Sequence, residues 1–396
     1  MGDIYEVKNT GEVKLNKFAT NPDPTEEGTV IYNTTDKKLR YYNGVEWVDT
    51  GRIPDTALFE GGELFTAIRT PVITTGASAH IIRVSSVSAL DNGSLYSVYQ
   101  SGTNQWTLLR LNTLTNTRTV MRVASGTAGA DAKFFNENLG FFVQASSSST
   151  SCAIWKWNGS TWTEVFTFLS GSTTTQYSVR MEISKDGFIA ASVRDFVAVS
   201  PDFGETWIRK SATNAGNYRS VGTLTMTDNY IYVVVNSSSA MAVLRLQKST
   251  YDTTNFTNIG TTGLGNVYTS IAVPDDNNIW IYQHDSSSLI RHWNGSNFAT
   301  VTVTGLLASS STQNKAFAHN NKIYFMSNDT ANNFALIRID NNRSTPNAVV
   351  LDNRSIRGIY RNYDADYPCA AIGYVDVSML AGVGFTQKVL ASKNLD

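Results

Sequence analysis

Asp228-Asn-Tyr-Ile-Tyr-Val233 sets two turn-forming residues directly ahead of aromatic and β-branched side chains, the pattern of a strand entered through a tight turn. The pattern recurs at Ser94-Leu-Tyr-Ser-Val-Tyr, Leu139-Gly-Phe-Phe-Val, Asp186-Gly-Phe-Ile-Ala, Asn277-Asn-Ile-Trp-Ile-Tyr, Asn320-Asn-Lys-Ile-Tyr-Phe and Tyr367-Pro-Cys-Ala-Ala-Ile. Consecutive anchors lie 42 to 49 residues apart, from 186 to 228 at the shortest and from 228 to 277 at the longest. A drifting period of about 40–50 residues is that of a four-stranded sheet repeated around an axis. Helical periodicity is almost absent.

Around each anchor the order is similar: the anchor strand, a small polar loop, a strand such as Cys152-Ala-Ile-Trp-Lys-Trp or Ala242-Val-Leu-Arg-Leu, a tight turn and a last strand. Asn158-Gly-Ser and Asn294-Gly-Ser supply the positive-φ residues that such a hairpin turn needs. The expectation is an all-β chain whose residues 68–396 form a seven-bladed β-propeller. A count of six or eight blades stays open, because the unit after Tyr367 fits worst. Closing a ring removes exposed sheet edges, and Pro71-Val-Ile-Thr-Thr is expected to pair with the final blade for that purpose. The remaining chain divides into an N-terminal anchoring tail (1–27), a small β-hairpin attachment module (28–52) and a linker (53–67). Asn21-Pro-Asp-Pro-Thr-Glu-Glu reads as a rigid polar spacer within the tail.

Composition narrows the function classes. Charged residues are 16% of the 396, with 32 basic against 33 acidic, so there is no basic footprint for nucleic acid or for an anionic membrane. No run approaches the ~18 apolar residues of a membrane span, and the N-terminus has no signal-peptide pattern, so membrane insertion is not expected. Cys152 and Cys369 are too far apart to suggest a metal motif and read as buried small hydrophobes. His80, His284, His292 and His319 share no spacing, Asp275-Asp276 lacks an EF-hand pattern, and no phosphate loop, dinucleotide loop or nucleophile elbow occurs. No metal, cofactor or catalytic residue is expected.

Ser200-Pro-Asp202-Phe-Gly204-Glu-Thr206-Trp207 matches the Asp-box pattern SxDxGxTW at every defined position and falls between the last two strands of the third unit. Asp202 can accept backbone N–H bonds, Gly204 permits a left-handed conformation, and Trp207 can pack between sheets. The motif resembles that of sialidase-type propellers. In that family the box is structural, which implies structural roles for Ser200, Asp202, Gly204, Thr206 and Trp207. The resemblance also implies that catalysis would need an axial arginine triad. Arg180, Arg194, Arg245, Arg291, Arg338 and Arg357 are candidates that the sequence does not resolve into one.

A second resemblance covers Gly28-Thr-Val-Ile-Tyr-Asn-Thr-Thr-Asp-Lys-Lys-Leu-Arg-Tyr-Tyr-Asn-Gly-Val-Glu-Trp-Val48. It is similar to a short module of phage tail-fibre and other virion appendage proteins, where GxxxYNTTxxxLxxYxGxxW forms a small hairpin. Val30, Tyr32, Leu39, Tyr41, Trp47 and Val48 offer more apolar area than one hairpin buries, so a partner surface or neighbouring copies should cover it. Trp47 is expected to be structural there. The resemblance implies a virion location, attachment to other tail or baseplate proteins through residues 1–52, and a homo-oligomer in the particle.

Serine- and asparagine-rich loops recur between second and third strands, at Gln100-Ser-Gly-Thr-Asn-Gln, Ser146-Ser-Ser-Ser-Thr, Asn236-Ser-Ser-Ser, Asp285-Ser-Ser-Ser and Asn328-Asp-Thr-Ala-Asn-Asn. Propeller geometry brings them to one face, where hydroxyls, amides and aromatic rings can engage sugars. The combined expectation is a phage receptor-binding protein whose propeller meets a host surface receptor, a glycan among the candidates. A propeller glycoside hydrolase and a purely structural appendage are the alternatives.

Overall fold

The computed structural model describes residues 17–18, 30–35, 38–42, 45–49, 66–68, 84–89, 94–102, 104–112, 117–146, 151–169, 179–193, 196–212, 220–236, 241–262, 269–283, 290–303, 316–319, 322–328, 334–340, 346, 348–352, 356–361, 369–374 and 387–392. The chain divides into two compact units, Met1–Leu58 and Phe59–Asp396.

In the first unit, Val30–Asn33, Lys38–Tyr42 and Trp47–Asp49 run antiparallel in that order. A fourth strand, Lys17–Phe18, pairs in parallel with Tyr32 and Asn33. The module is therefore a four-stranded sheet rather than the hairpin expected over 28–52, and it draws two residues from the tail expected over 1–27. A contact this short and this distant along the chain leaves no periodic trace in sequence. The Asn-Thr-Thr of the motif makes the first turn, with the Asn33 side chain accepting the Thr35 N–H at 3.0 Å.

Among the described residues the second unit carries seven four-stranded antiparallel sheets, spanning residues 84–125, 127–169, 179–211, 220–261, 269–301, 316–352 and 356–392, the last completed by Thr66–Ile68. Each anchor lies at or just before the second strand of its sheet, and in the second, fifth and sixth sheets only two residues join that strand to the leading one. The leading strands of successive sheets lie side by side, and the leading strand of the seventh, Ile356–Arg361, touches that of the first, Val84–Ala89. The succession thus closes on itself. The strand completing the seventh sheet is Thr66–Ile68, through Ile68 with Val389 and Thr66 with Ala391. It begins inside the expected linker, and the expected Pro71 segment lies outside the described residues. Three paired residues suffice to cover an edge, too few to stand out as a strand in sequence.

The core lies between sheets. On the strand Tyr230–Asn236, Ile231, Val233 and Val235 pack toward the third sheet, while Tyr232 and Val234 pack toward the fifth. Burial on both faces explains why such strands read as unbroken apolar runs instead of alternating. Removing one such side chain from water contributes about 1.5–3 kcal/mol. Cys152 is buried in the packing of the second sheet on the third; the Cys369 side chain lies outside the described residues.

Candidate functional site

Three places concentrate polar chemistry: the leading strands, the outer turns, and the cleft between the first two sheets.

On the leading strands, Asp131 is buried with both oxygens engaged. One accepts the N–H of Ala132 at 2.9 Å, and the other reaches the next sheet to accept the N–H of Met181 at 3.0 Å. That carboxylate is occupied in tying the second sheet to the third. Arg180, on the adjacent leading strand, turns back to the carbonyl of Val179 at 2.9 Å. Arg245 lies 4.8 Å from the Tyr230 ring on a third strand, Arg291 bonds the Thr300 hydroxyl from another third strand, and Arg338 sits on a third. The structure disperses these four candidates over four sheets; Arg194 and the Arg357 side chain lie outside the described residues. Among the described residues no group of three or more His, Cys, Asp and Glu side chains is gathered to hold a metal ion.

The turn Ser200–Trp207 links the strands Phe196–Ser200 and Ile208–Ser211. Asp202 accepts the Thr206 N–H at 2.9 Å, the Thr206 hydroxyl at 2.6 Å, the Glu205 N–H at 3.2 Å and the Ser200 hydroxyl at 2.9 Å. Burial works against the carboxylate, yet these bonds outweigh it and hold Asp202 below the ordinary aspartate pKa. Ser200 is buried and its oxygen also accepts the Gly204 N–H at 2.9 Å. Gly204 has φ +80°, and a β-carbon there would fall 2.3 Å from the Phe141 ring of the second sheet. Trp207 donates to the Gly204 carbonyl at 3.1 Å and stacks on Phe166 of the second sheet at 5.8 Å. Phe203, at φ 55°, is pinned by its N–H to Gly187 O at 2.9 Å and packs on Phe135. The turn thus holds itself together through Ser200, Asp202 and Thr206 and clamps two sheets through Gly204 and Trp207.

Equivalent clamps recur outward from the core. Lys156 faces Glu205, Lys248 faces Asp186 at 3.0 Å, and Lys210 donates to the carbonyls of Asp252 and Thr254. Asp276 gathers Thr227, Asn229 and Tyr232 of the preceding sheet, and burial together with the Asp276 charge raises the Tyr232 pKa. His292 stacks on Trp280 at 4.4 Å and bonds the Asn278 side chain, with burial lowering its pKa. Trp47 of the first unit is half-buried beside Tyr42 at 5.7 Å.

The third place was not legible in sequence. Between the first two sheets, the Arg122 guanidinium lies 3.7 Å from the centre of the Trp155 ring, 5.4 Å from Phe142 and 6.0 Å from Trp162. Its Nη2 reaches Gln144 Oε1 only at 3.5 Å, and among the described residues its Nε and the Trp155 Nε1 have no hydrogen-bond partner. Burial pulls the Arg122 pKa down to about 10, against a smaller upward pull from Glu164. The Trp-rich run at 152–157 was visible in sequence, but nothing there connects it to Arg122. Of the serine- and asparagine-rich loops, 147–150, 237–240, 284–289 and 329–333 lie outside the described residues. In the remaining one, the Ser101 hydroxyl bonds Gln105 and Thr107.

No family model matches the chain, and no curated protein matches it in sequence. Among solved structures it is similar to the GH74 enzyme of Niastella koreensis, with TM-score 0.47 and 15% identity over 67% of this chain and 46% of that one. The chain therefore spans under half of that enzyme's length. It is also similar to YCF48 bound to D1 peptide, with TM-score 0.49 and 13% identity over 87% of this chain and 99% of that one.

Proposed function

We propose that this chain is a receptor-binding appendage of a phage particle, with residues 1–52 holding it to other virion proteins and the sheets of the second unit forming a seven-bladed propeller that meets a host-surface glycan. The observation that carries the reading is the tail-fibre-like motif of residues 28–48 and its place in a compact unit separate from the sheets that follow. Val45, at its last turn, stands 85% exposed, the kind of apolar tip that a neighbouring protein covers. On this reading the turn Ser200–Trp207 is an Asp box with a structural part. A binding role also suits the leading strands, where the Asp131 carboxylate is committed to backbone amides and so is unsuited to proton transfer.

The test is saturable binding of the labelled full chain to susceptible and resistant bacterial cells, with released sugar assayed in the same tubes. Binding to susceptible cells without released sugar supports the reading. Released sugar would put a glycoside hydrolase in its place. Absence of both would leave a structural appendage.

A further inference from the structure

The cation between the first two sheets differs from its neighbours in one respect. Arg110 meets Glu137 at 2.5 Å, Lys156 meets Glu205, and Lys248 meets Asp186. Arg122, half-buried like Arg110 and Lys156, meets no carboxylate among the described residues; Glu164 acts on it through space while its Oε1 accepts the hydroxyl of Thr167. A half-buried guanidinium held against aromatic rings is desolvated, and only an anion returns what water gave it. Its planar fork matches a carboxylate, with two parallel N–H···O bonds.

The surroundings narrow the class of anion. Trp155 and Trp162 are half-buried, so each keeps part of its area open to solvent. Gln144 is half-buried as well and touches Arg122 at 3.5 Å. Flat aromatic surfaces beside an amide and a guanidinium suit a pyranose ring, whose apolar face stacks while its hydroxyls and carboxylate find donors. Trp162 is anchored by donating to the Met121 carbonyl of the first sheet at 3.1 Å, so the ring and Arg122 hold a fixed relation across the cleft.

We infer that Arg122, Trp155, Trp162 and Gln144 form a binding site for an acidic sugar, one whose carboxylate pairs with the Arg122 guanidinium while its ring lies against the indoles. The inference rests on the glycan-binding reading above and names the class of sugar. The site lies between two sheets, away from the serine-rich loops singled out in sequence.

Calorimetric titration of the full chain with a tetramer of glucuronic acid, the uncharged glucose tetramer of the same linkage, and tetraglutamate tests it. The acidic sugar should bind at least about tenfold more tightly than either control, and Arg122→Gln should weaken it by about tenfold or more, the loss of one charge-assisted bond. Arg122→Lys, which keeps the charge and loses the fork, should fall between, and Trp155→Phe should weaken both sugars alike. Unfolding midpoints confirm that each variant is folded. Equal binding of the acidic and neutral sugars, equal binding of tetraglutamate, no binding of any, or an Arg122→Gln variant that binds as the parent would each overturn the site. If the parent chain binds susceptible cells while the acidic tetramer does not bind, the inference falls and the receptor-binding reading stands. If the tetramer binds and cells do not, the reverse holds.

Discussion

Asp202 and Arg122 are both charged groups at sheet margins, and they are treated in opposite ways. Asp202 accepts four hydrogen bonds, every one from within the turn Ser200–Trp207. Among the described residues Arg122 has three aromatic rings around it and a single long hydrogen-bond contact, to Gln144. A charge whose bonds are supplied by its own few residues is part of the fold's construction. A charge left short of partners lowers stability relative to a satisfied one, and its retention calls for an external reason. Substitutions around the two charges should therefore separate: those in the turn should cost stability, and those at the cleft should cost binding.

The largest effect is expected at Gly204. Alanine there must take φ +80° and place its β-carbon 2.3 Å from the Phe141 ring, so backbone strain and overpacking add. Gly204→Ala should lower stability by about 2–4 kcal/mol in urea unfolding of the full chain. A loss under about 1 kcal/mol would mean that the turn yields easily and does not clamp the sheets.

Ser200→Ala comes next. The Ser200 oxygen is buried and takes the Gly204 N–H, which no water replaces once the hydroxyl is gone, so a loss of about 1–3 kcal/mol is expected. Asp202→Ala should cost less, because Thr206 and Glu205 are exposed and their N–H groups can turn to solvent. The reverse order of the two losses would shift the weight of the turn from its buried hydroxyl to its charge.

Acid should act on the same turn. The Asp202 and Asp186 pKa values are both held below the ordinary 3.8: burial opposes the charge, and hydrogen bonds outweigh it, from Thr206 and Ser200 in one case and from Ser184 and Lys248 in the other. A depressed carboxylate pKa contributes stability that is present above the unfolded value and lost as pH falls through the folded one. Stability should thus hold from neutral pH down to about 4 and decline below it, by about 1 kcal/mol or less per group because Asp186 is exposed and Asp202 only half-buried. Asp202→Asn should flatten that decline in thermal unfolding measured across the acid range. An unchanged decline would assign it to other carboxylates.

How much could be read from sequence follows the same division. The anchors and the turn at 200–207 were legible because their physics is local: a tight turn, an apolar run, a carboxylate bonding residues three and four positions on. What was missed depends on contacts between distant segments. Lys17–Phe18 pairs with residues fifteen positions downstream, Thr66–Ile68 pairs with residues 389–391, and Asp131 bonds the Met181 N–H of the next sheet. Arg122 belongs to this class. Its strand, Thr117–Ser125, is polar and unremarkable in sequence, and only the packing of the second sheet brings Trp155 and Trp162 over it. The serine-rich loops illustrate the opposite hazard: a compositional signal marked them, while the unneutralised charge lies on a strand.

The smallest effect on stability is expected where the effect on binding is largest. Arg122→Met keeps an unbranched stem of similar reach against Trp155 and removes the charge. The lost cation–π attraction is worth about 0.5–2 kcal/mol. Against it stands relief from holding a guanidinium whose pKa burial has drawn down to about 10. The Gln144 contact at 3.5 Å is too long to add much. The two larger contributions oppose each other, so the urea midpoint should move by less than about 1 kcal/mol in either direction. A loss above about 2 kcal/mol would make Arg122 a pin between the first two sheets, no different in kind from Asp202. A near-neutral midpoint, with the acidic tetramer no longer bound, would leave binding as the reason for a cation at that position.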